Sequence, residues 1–108
     1  MTNTIKKDGI AITPHMEFKI TPEYLASKFG YRGRAYDVVI HVGIAELEVG
    51  YIDVSVINGQ QSLTFRKTND ALDMPEARAS VSITDLQKWI TYNAQAAAGR
   101  YFTPQEAA

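Results

Sequence analysis

Cysteine is absent from the 108-residue chain, which removes disulfides, thiolate zinc sites and a cysteine nucleophile from consideration. Long apolar runs are absent as well. The N-terminal stretch MTNTIKKDGIAITP lacks the apolar core of a signal peptide, and no segment approaches transmembrane length, so the cytoplasm is the expected location. Neither charge sign dominates: eleven basic residues against twelve acidic ones give a formal charge of −1. That balance disfavours both a globally basic nucleic-acid binder and a strongly acidic nucleic-acid mimic. Catalytic motifs are missing too. The chain has no G-x-S-x-G elbow, phosphate-binding Walker loop, H-E-x-x-H pair or paired-glycine dinucleotide fingerprint, so neither an enzyme nor a bound cofactor is expected.

What the chain does carry is a strong hairpin signal. Asn58-Gly59 lies between two alternating apolar runs, in the stretch Glu46 to Lys67. Both central residues of a type I′ turn need positive φ, and Asn-Gly is the pair that accepts it most readily. A two-residue turn there sets Val54 opposite Leu63 and Ile52 opposite Phe65 on one side of the ribbon. Asp53 with Thr64, Ser55 with Ser62, and Tyr51 with Arg66 fall on the other. One face is apolar and one polar, as in an antiparallel sheet covered on a single side. Leu47 and Val49 are out of phase with Ile52, Val54 and Val56, which predicts a β-bulge near Gly50-Tyr51. Such a bulge either curls the sheet or re-aims Tyr51.

The remaining segments predict one α+β domain spanning 1–108, with 1–9 and 103–108 frayed. The even positions from Ile10 to Ile20 read as a half-buried strand interrupted at Pro14. Thr21-Pro22-Glu23 has the form of a helix start, Ile20 and Leu25 the spacing of a hydrophobic staple, and Gly30 the place of a helix end. This predicts a short helix over 21–30. Tyr31-Arg32-Gly33-Arg34 reads as a loop, followed by a strand from Tyr36 to Val42. A tight turn around Ile44-Ala45 would pair Val42 with Leu47, Ile40 with Val49 and His41 with Glu48. After Lys67 comes a long connection, then a short strand over 79–83. Thr84-Asp85-Leu86-Gln87 has capping-box spacing and opens a helix that Gly99 stops, with Leu86, Trp89, Ile90, Ala94 and Ala97 as its apolar stripe. The expected architecture is an antiparallel sheet of four to five strands with two helices on one face, in the order β-α-β-β-β-β-α. A sheet curled strongly around the long helix is the alternative.

Three functional readings follow from the residues. Tyr31, Arg32, Arg34 and Tyr36, with Tyr51 and Arg66 on the polar sheet face and Asp70, Asp73 and Glu76 in an acidic 69–78 loop, form a candidate partner-binding surface. Tyr and Arg are the residues most enriched at interface hot spots. The same basic and aromatic interleaving, with Lys28, would suit single-stranded nucleic acid, which is the second reading. Asp37, His41 and Glu48 share the outward face in the expected register and are the weak candidates for a metal site or an acid–base pair, which is the third.

The first reading leads: a non-enzymatic protein-binding module, an inhibitor or accessory subunit, with homodimerisation through an edge strand as a further route. In size and in its want of a chemical motif the chain is similar to the small single-domain proteins that phages encode to block host machinery, anti-CRISPR inhibitors among them. That similarity covers no specific residues.

Overall fold

The long hairpin forms as its turn chemistry dictates. In the computed structural model, which describes residues 5–7 and 10–102, Asn58 and Gly59 adopt φ of 52° and 77°. The strands they join pair Ile52 with Phe65, Val54 with Leu63 and Tyr51 with Arg66. In chain order the elements are β1 (Ile5–Lys7), β2 (Ile10–Ile12), β3 (His15–Ser27), β4 (Gly30–Val42), β5 (Ala45–Ile57), β6 (Gln60–Lys67), β7 (Ala77–Ser80) and α1 (Ile83–Phe102). β1 and β2 form a small hairpin of their own, and β3 to β7 form a five-stranded antiparallel meander in sequence order.

α1 lies across one face of that meander. Its buried residues Leu86, Ile90, Ala94, Ala97 and Ala98 meet Val38, Ile40, Val42, Ile52, Leu63 and Phe65 in a single core. The three alanines in that stripe let helix and sheet approach closely, and Trp89 sets its ring edge-to-face on Phe65 at 5.9 Å. Ile5 of β1 is also fully buried in this core, so a segment expected to be frayed is tied down at that residue. Lys6 and Lys7 pair with Ala11 and Ile10 of β2, and the remainder of the ends expected to fray (1–4, 8–9 and 103–108) lies outside the described residues. No helix among the described residues is long and apolar enough to cross a membrane.

The helix predicted over 21–30 is not formed; those residues complete β3, turn at Lys28-Phe29 and begin β4. The architecture therefore has one helix among the described residues rather than two. An isolated two-turn helix is marginal, whereas extending β3 adds backbone pairs from Glu23↔Arg34 to Ser27↔Gly30. The local signals acquire other uses in the strand. The register shifts between Ile20 and Glu23, so Pro22 falls in a bulge of an edge strand, where a residue without an N–H is tolerated. Gly30 is needed because a Cβ there would overlap the Val56 carbonyl of β5. Tyr31 to Arg34, expected in a loop, accordingly lies within β4.

The turn between β4 and β5 also differs from expectation. Gly43, at φ 62°, and Ile44 make the bend, pairing Val42 with Ala45, Ile40 with Leu47 and His41 with Glu46. The shift is two residues, so each side chain keeps its face. Glycine takes the left-handed position that Ile-Ala could not supply.

The bulge expected near Gly50 is present. Val38 pairs with Gly50 and Val39 with Glu48, leaving Val49 as the extra residue of β5. Its carbonyl accepts a 3.0 Å hydrogen bond from the Thr68 amide, and the Glu48 carbonyl accepts one of 2.9 Å from the Asn69 side chain. The bulge thereby anchors the connection that follows β6. Leu72 and Met74 of that connection are buried in the core, and Lys67 Nζ donates to the Leu72 carbonyl at 3.0 Å.

The short strand ends at Ser80 rather than continuing to Ile83, and α1 begins two residues earlier than expected. Ser82 is its cap, its hydroxyl accepting from the Asp85 amide at 3.2 Å. At the other end the helix passes through Gly99 to Phe102, whose ring packs on the core and meets Tyr101 edge-on at 5.0 Å. Tertiary packing overrides the local stop signal.

Two glycine substitutions should therefore move stability in opposite directions. At Gly50 a Cβ would collide with the Arg66 carbonyl, backbone against backbone, so Gly50→Ala should destabilise by about 1–3 kcal/mol. At Gly99 a Cβ meets open space in a helix, so Gly99→Ala should stabilise by about 0.5–1 kcal/mol. Urea denaturation of the two variants checks both signs.

Candidate partner-binding face

With α1 covering one face of the meander, the opposite face carries the outward side chains of β3 to β7. Strand alternation decides which residues these are, and the bulges decide where the alternation resets. Ala35 is the extra residue of β4 between Arg34↔Asp53 and Tyr36↔Ile52, and it is buried. Before it, Arg32 and Arg34 point outward; after it, Asp37, Val39 and His41 do. On β5 and β6 the outward set is Glu46, Glu48, Tyr51, Asp53 and Ser55, then Ser62, Thr64 and Arg66.

Polar contacts knit the middle of this face. The Arg34 guanidinium sits 4.1 Å above the centre of the Tyr51 ring and 3.4 Å from the Asp37 carboxylate. Arg66 lies 3.6 Å from Asp53. Exposed pairs of this kind contribute at most about 1 kcal/mol each, so their effect is to order the side chains more than to hold the fold. Beside them is a depression of 430 Å³ lined by Arg32, Asp53, Ser55, Thr64 and Arg66. Arg32 makes no ion pair among the described residues. Next to it, a second depression of 350 Å³ brings Asp70 and Glu76 to Tyr51 and Arg66.

Of the residues singled out from the sequence, Arg32, Arg34, Tyr51 and Arg66 thus share one surface, with Asp70 and Glu76 at its margin. Tyr31 and Tyr36 do not belong to it. They line a separate depression on the helix side with Val54, Leu63 and Ile83. Asp73 is at the C-terminal end of α1, where its side chain lies 3.5 Å from that of Arg100 and its carbonyl accepts from the same guanidinium.

Asp37, His41 and Glu48 are outward but not convergent. His41 is opposite Glu46, Glu48 opposite Val39, and Asp37 is engaged by Arg34. No group of three or more His, Cys, Asp or Glu residues is placed to hold a metal ion among the described residues.

A second cluster, not anticipated from the sequence, occupies the other end of the same face. β3 sets His15 opposite His41 and Glu17 opposite Val39. His41 Nε2 lies 2.8 Å from Glu17 Oε1, the two imidazole centres are 6.0 Å apart, and Lys19 Nζ lies 3.5 Å from Glu46. The signal that would have found it is the two-residue turn at Lys28-Phe29. Once 21–30 is read as strand, that turn together with the one-residue register shift between Ile20 and Glu23 sets His15 beside His41. The hydrogen bond with His41 holds the Glu17 carboxyl below its ordinary pKa. Slight burial opposes this, and the charge of Lys19 adds to the lowering.

Compared with protein-family models, with curated proteins and with solved structures, the chain matches none.

The lowered Glu17 pKa has a definite sign. A carboxyl more acidic in the folded state than in the unfolded chain adds stability above its unfolded pKa, and that stability is lost as pH falls through the folded value. Glu17→Gln should therefore lie below wild type in stability at neutral pH and converge with it under acid conditions. Thermal melts in a series of buffers from neutral to about pH 2.5 check the convergence; a constant offset would contradict it.

Proposed function

We propose that the protein is a non-enzymatic binding module, an inhibitor or accessory subunit, which covers a surface of a protein partner with the outer face of its sheet. The observation that carries this reading is the depression lined by Arg32, Asp53, Ser55, Thr64 and Arg66. Asp53 within the depression engages Arg66 at 3.6 Å, which leaves Arg32, without an ion pair among the described residues, and the two hydroxyl side chains to meet a carboxylate of the partner. Tyr51 and Arg34, already stacked, add a preordered aromatic and cationic patch beside it. Asp70 and Glu76 at the margin supply the opposite charge, which favours a partner of mixed charge over a uniformly acidic polymer.

The nucleic-acid reading loses support from the same geometry. Single-strand binders stack bases and neutralise phosphates along one surface. Here Tyr31 and Tyr36 lie across the sheet from the arginines, and Arg34 already occupies a face of Tyr51. The metal reading finds no convergent ligand set among the described residues.

Arg32→Glu combined with Arg66→Glu should weaken partner capture at least about tenfold, the loss typical of a hot-spot arginine. The melting temperature should stay nearly the same, since surface substitutions at such positions change stability by well under about 1 kcal/mol. Quantitative pull-down of wild type and variant from the native host, read by mass spectrometry, provides the measurement. Capture of the same protein set by the double variant, in equal amount, would refute the reading.

A further inference from the structure

β3 is an edge of the five-stranded sheet and the longer of its two edges: thirteen residues, against four in β7 at the other side. Along an edge, alternate backbone N–H and C=O groups point away from the sheet with no strand to receive them. The regular part of this edge is short, because the register with β4 runs unbroken only from His15 to Ile20 before the bulge at Thr21-Pro22. Beyond the bulge a second regular run extends from Glu23 to Ser27, so a strand added in continuous register lies along one run or the other, and the first is the longer window.

The side chains within the window alternate cleanly. Met16 and Phe18 pack towards the helix-side core, while Glu17 and Lys19 are on the outer face, where they reach His41 and Glu46. Ile20 follows on the helix side and is 75 % exposed, and Tyr92 of α1, next to Phe18 across a groove, is 69 % exposed. An apolar strip therefore runs beside the open edge, with a charged strip on the other face.

We infer that β3 pairs with β3 of a second copy, antiparallel about a two-fold axis through Phe18, joining two sheets into one of ten strands. Three constraints select this arrangement. A two-fold axis perpendicular to the sheet leaves each residue on its own face, so opposite residues must share a face; registers centred between two residues would set Glu17 against Phe18 and are excluded.

Of the registers centred on a residue inside the window, the one on Met16 pairs only His15 to Glu17 and the one on Lys19 pairs only Phe18 to Ile20, with Lys19 against Lys19, while centring on Glu17 sets Glu17 against Glu17. Centring on Phe18 sets Glu17 opposite Lys19 twice, with Phe18 facing Phe18 and Met16 facing Ile20. Opposite-charge and aromatic cross-strand pairs are favourable and like charges directly opposite are not. The third constraint is coverage. Ile20 of the partner subunit would come to lie beside Met16, near the groove bordered by Phe18 and Tyr92, so the exposed apolar strip would be covered by its own counterpart.

The inference goes beyond partner binding by the outer face, since none of its residues lines the Arg32–Arg66 depression. Sedimentation equilibrium should find the wild type dimeric at high concentration and dissociating on dilution. Glu17→Lys and Lys19→Glu, each placing like charges opposite one another, should separately weaken self-association about tenfold or more. Mixed in equal amounts, the two variants should recover dimers at the wild-type level, because each carries the charge the other needs.

The lack of cysteine permits an independent measurement. Under mild oxidation Glu17→Cys should cross-link to Lys19→Cys faster than either variant cross-links to itself. A wild type that stays monomeric from micromolar to millimolar concentration overturns the inference. So do charge variants that dimerise as well as wild type, or a mixture that does not recover.

Discussion

The pairing of Ile52 with Phe65, imposed by the left-handed turn at Asn58-Gly59, is the constraint from which the remaining geometry follows. Both side chains are fully buried, and each contributes roughly 1.5–3 kcal/mol by leaving water. A one-residue slip of β6 against β5 would turn Phe65 and Leu63 to solvent and bring Thr64 and Arg66 into the core. That is far more than the turn itself could absorb, so turn chemistry and burial select the same register. Every strand added outward from this pair inherits its choice of face. β4 inherits it through Tyr36↔Ile52 and β7 through Phe65↔Arg78, which brings the Arg78 guanidinium over the Trp89 ring at 5.3 Å.

Inheritance alone would have made both faces uniform, and the bulges prevent that. Val49 and Ala35 are extra residues on neighbouring strands, and both are buried. At each, the alternation resets, which is how Leu47 and Ile52 serve one core despite opposite parity. The same reset turns Arg32 and Arg34 onto the face that carries Tyr51 and Arg66. The bulge at Val49 also exposes carbonyls that fasten Thr68 and Asn69, so an otherwise long connection is held down and delivers Leu72 and Met74 to the core. One irregularity in β5 therefore shapes the core and the margin of the candidate face together.

This explains what could be read from the residues and what could not. The Asn-Gly turn, the Ile52 to Val56 alternation and the Leu86 to Ala97 stripe are signals in which local preference and tertiary packing agree, and they are found where expected. Thr21-Pro22-Glu23 and Gly30 are a case of disagreement. Their local form is that of a short helix, but the pairs available to an extended β3 outweigh it, and proline and glycine are accommodated as a bulge and a close crossing. Misreading that segment also hid half of the outer face. With a helix between them, His15 and Glu17 have no reason to meet His41; the two-residue turn and the register shift at the bulge bring them together. For Tyr51 and Arg66 the reverse holds, since the hairpin register alone puts them outward, while Arg32, expected in a loop, gains its outward place only from the strand. Tyr31 falls in with them because a loop, unlike a strand, has no alternation to separate neighbours, whereas Tyr36 opens the expected strand and its helix-side place follows the alternation of that strand.

The open face and the open edge are distinct features of one sheet, and their geometry relates them. Arg32 and the residue opposite Glu17, Val39, are seven positions apart on β4, a separation of roughly 20 Å at strand rise. Contacts at one end leave the other free. A two-fold axis perpendicular to the sheet would keep both copies' polar faces on the same side and both helices on the other. The Arg32–Arg66 hollow would then be presented twice, in antiparallel orientation, to whatever approaches that side. A partner that is itself a two-fold dimer, or an extended surface with repeated carboxylates, would meet both hollows at once, and its second contact would form within an already joined complex. Moderate affinity at each hollow would then suffice for tight capture. Alternating charge on the face is compatible with this, because selectivity would come from the spacing of the two sites as much as from the chemistry of either one.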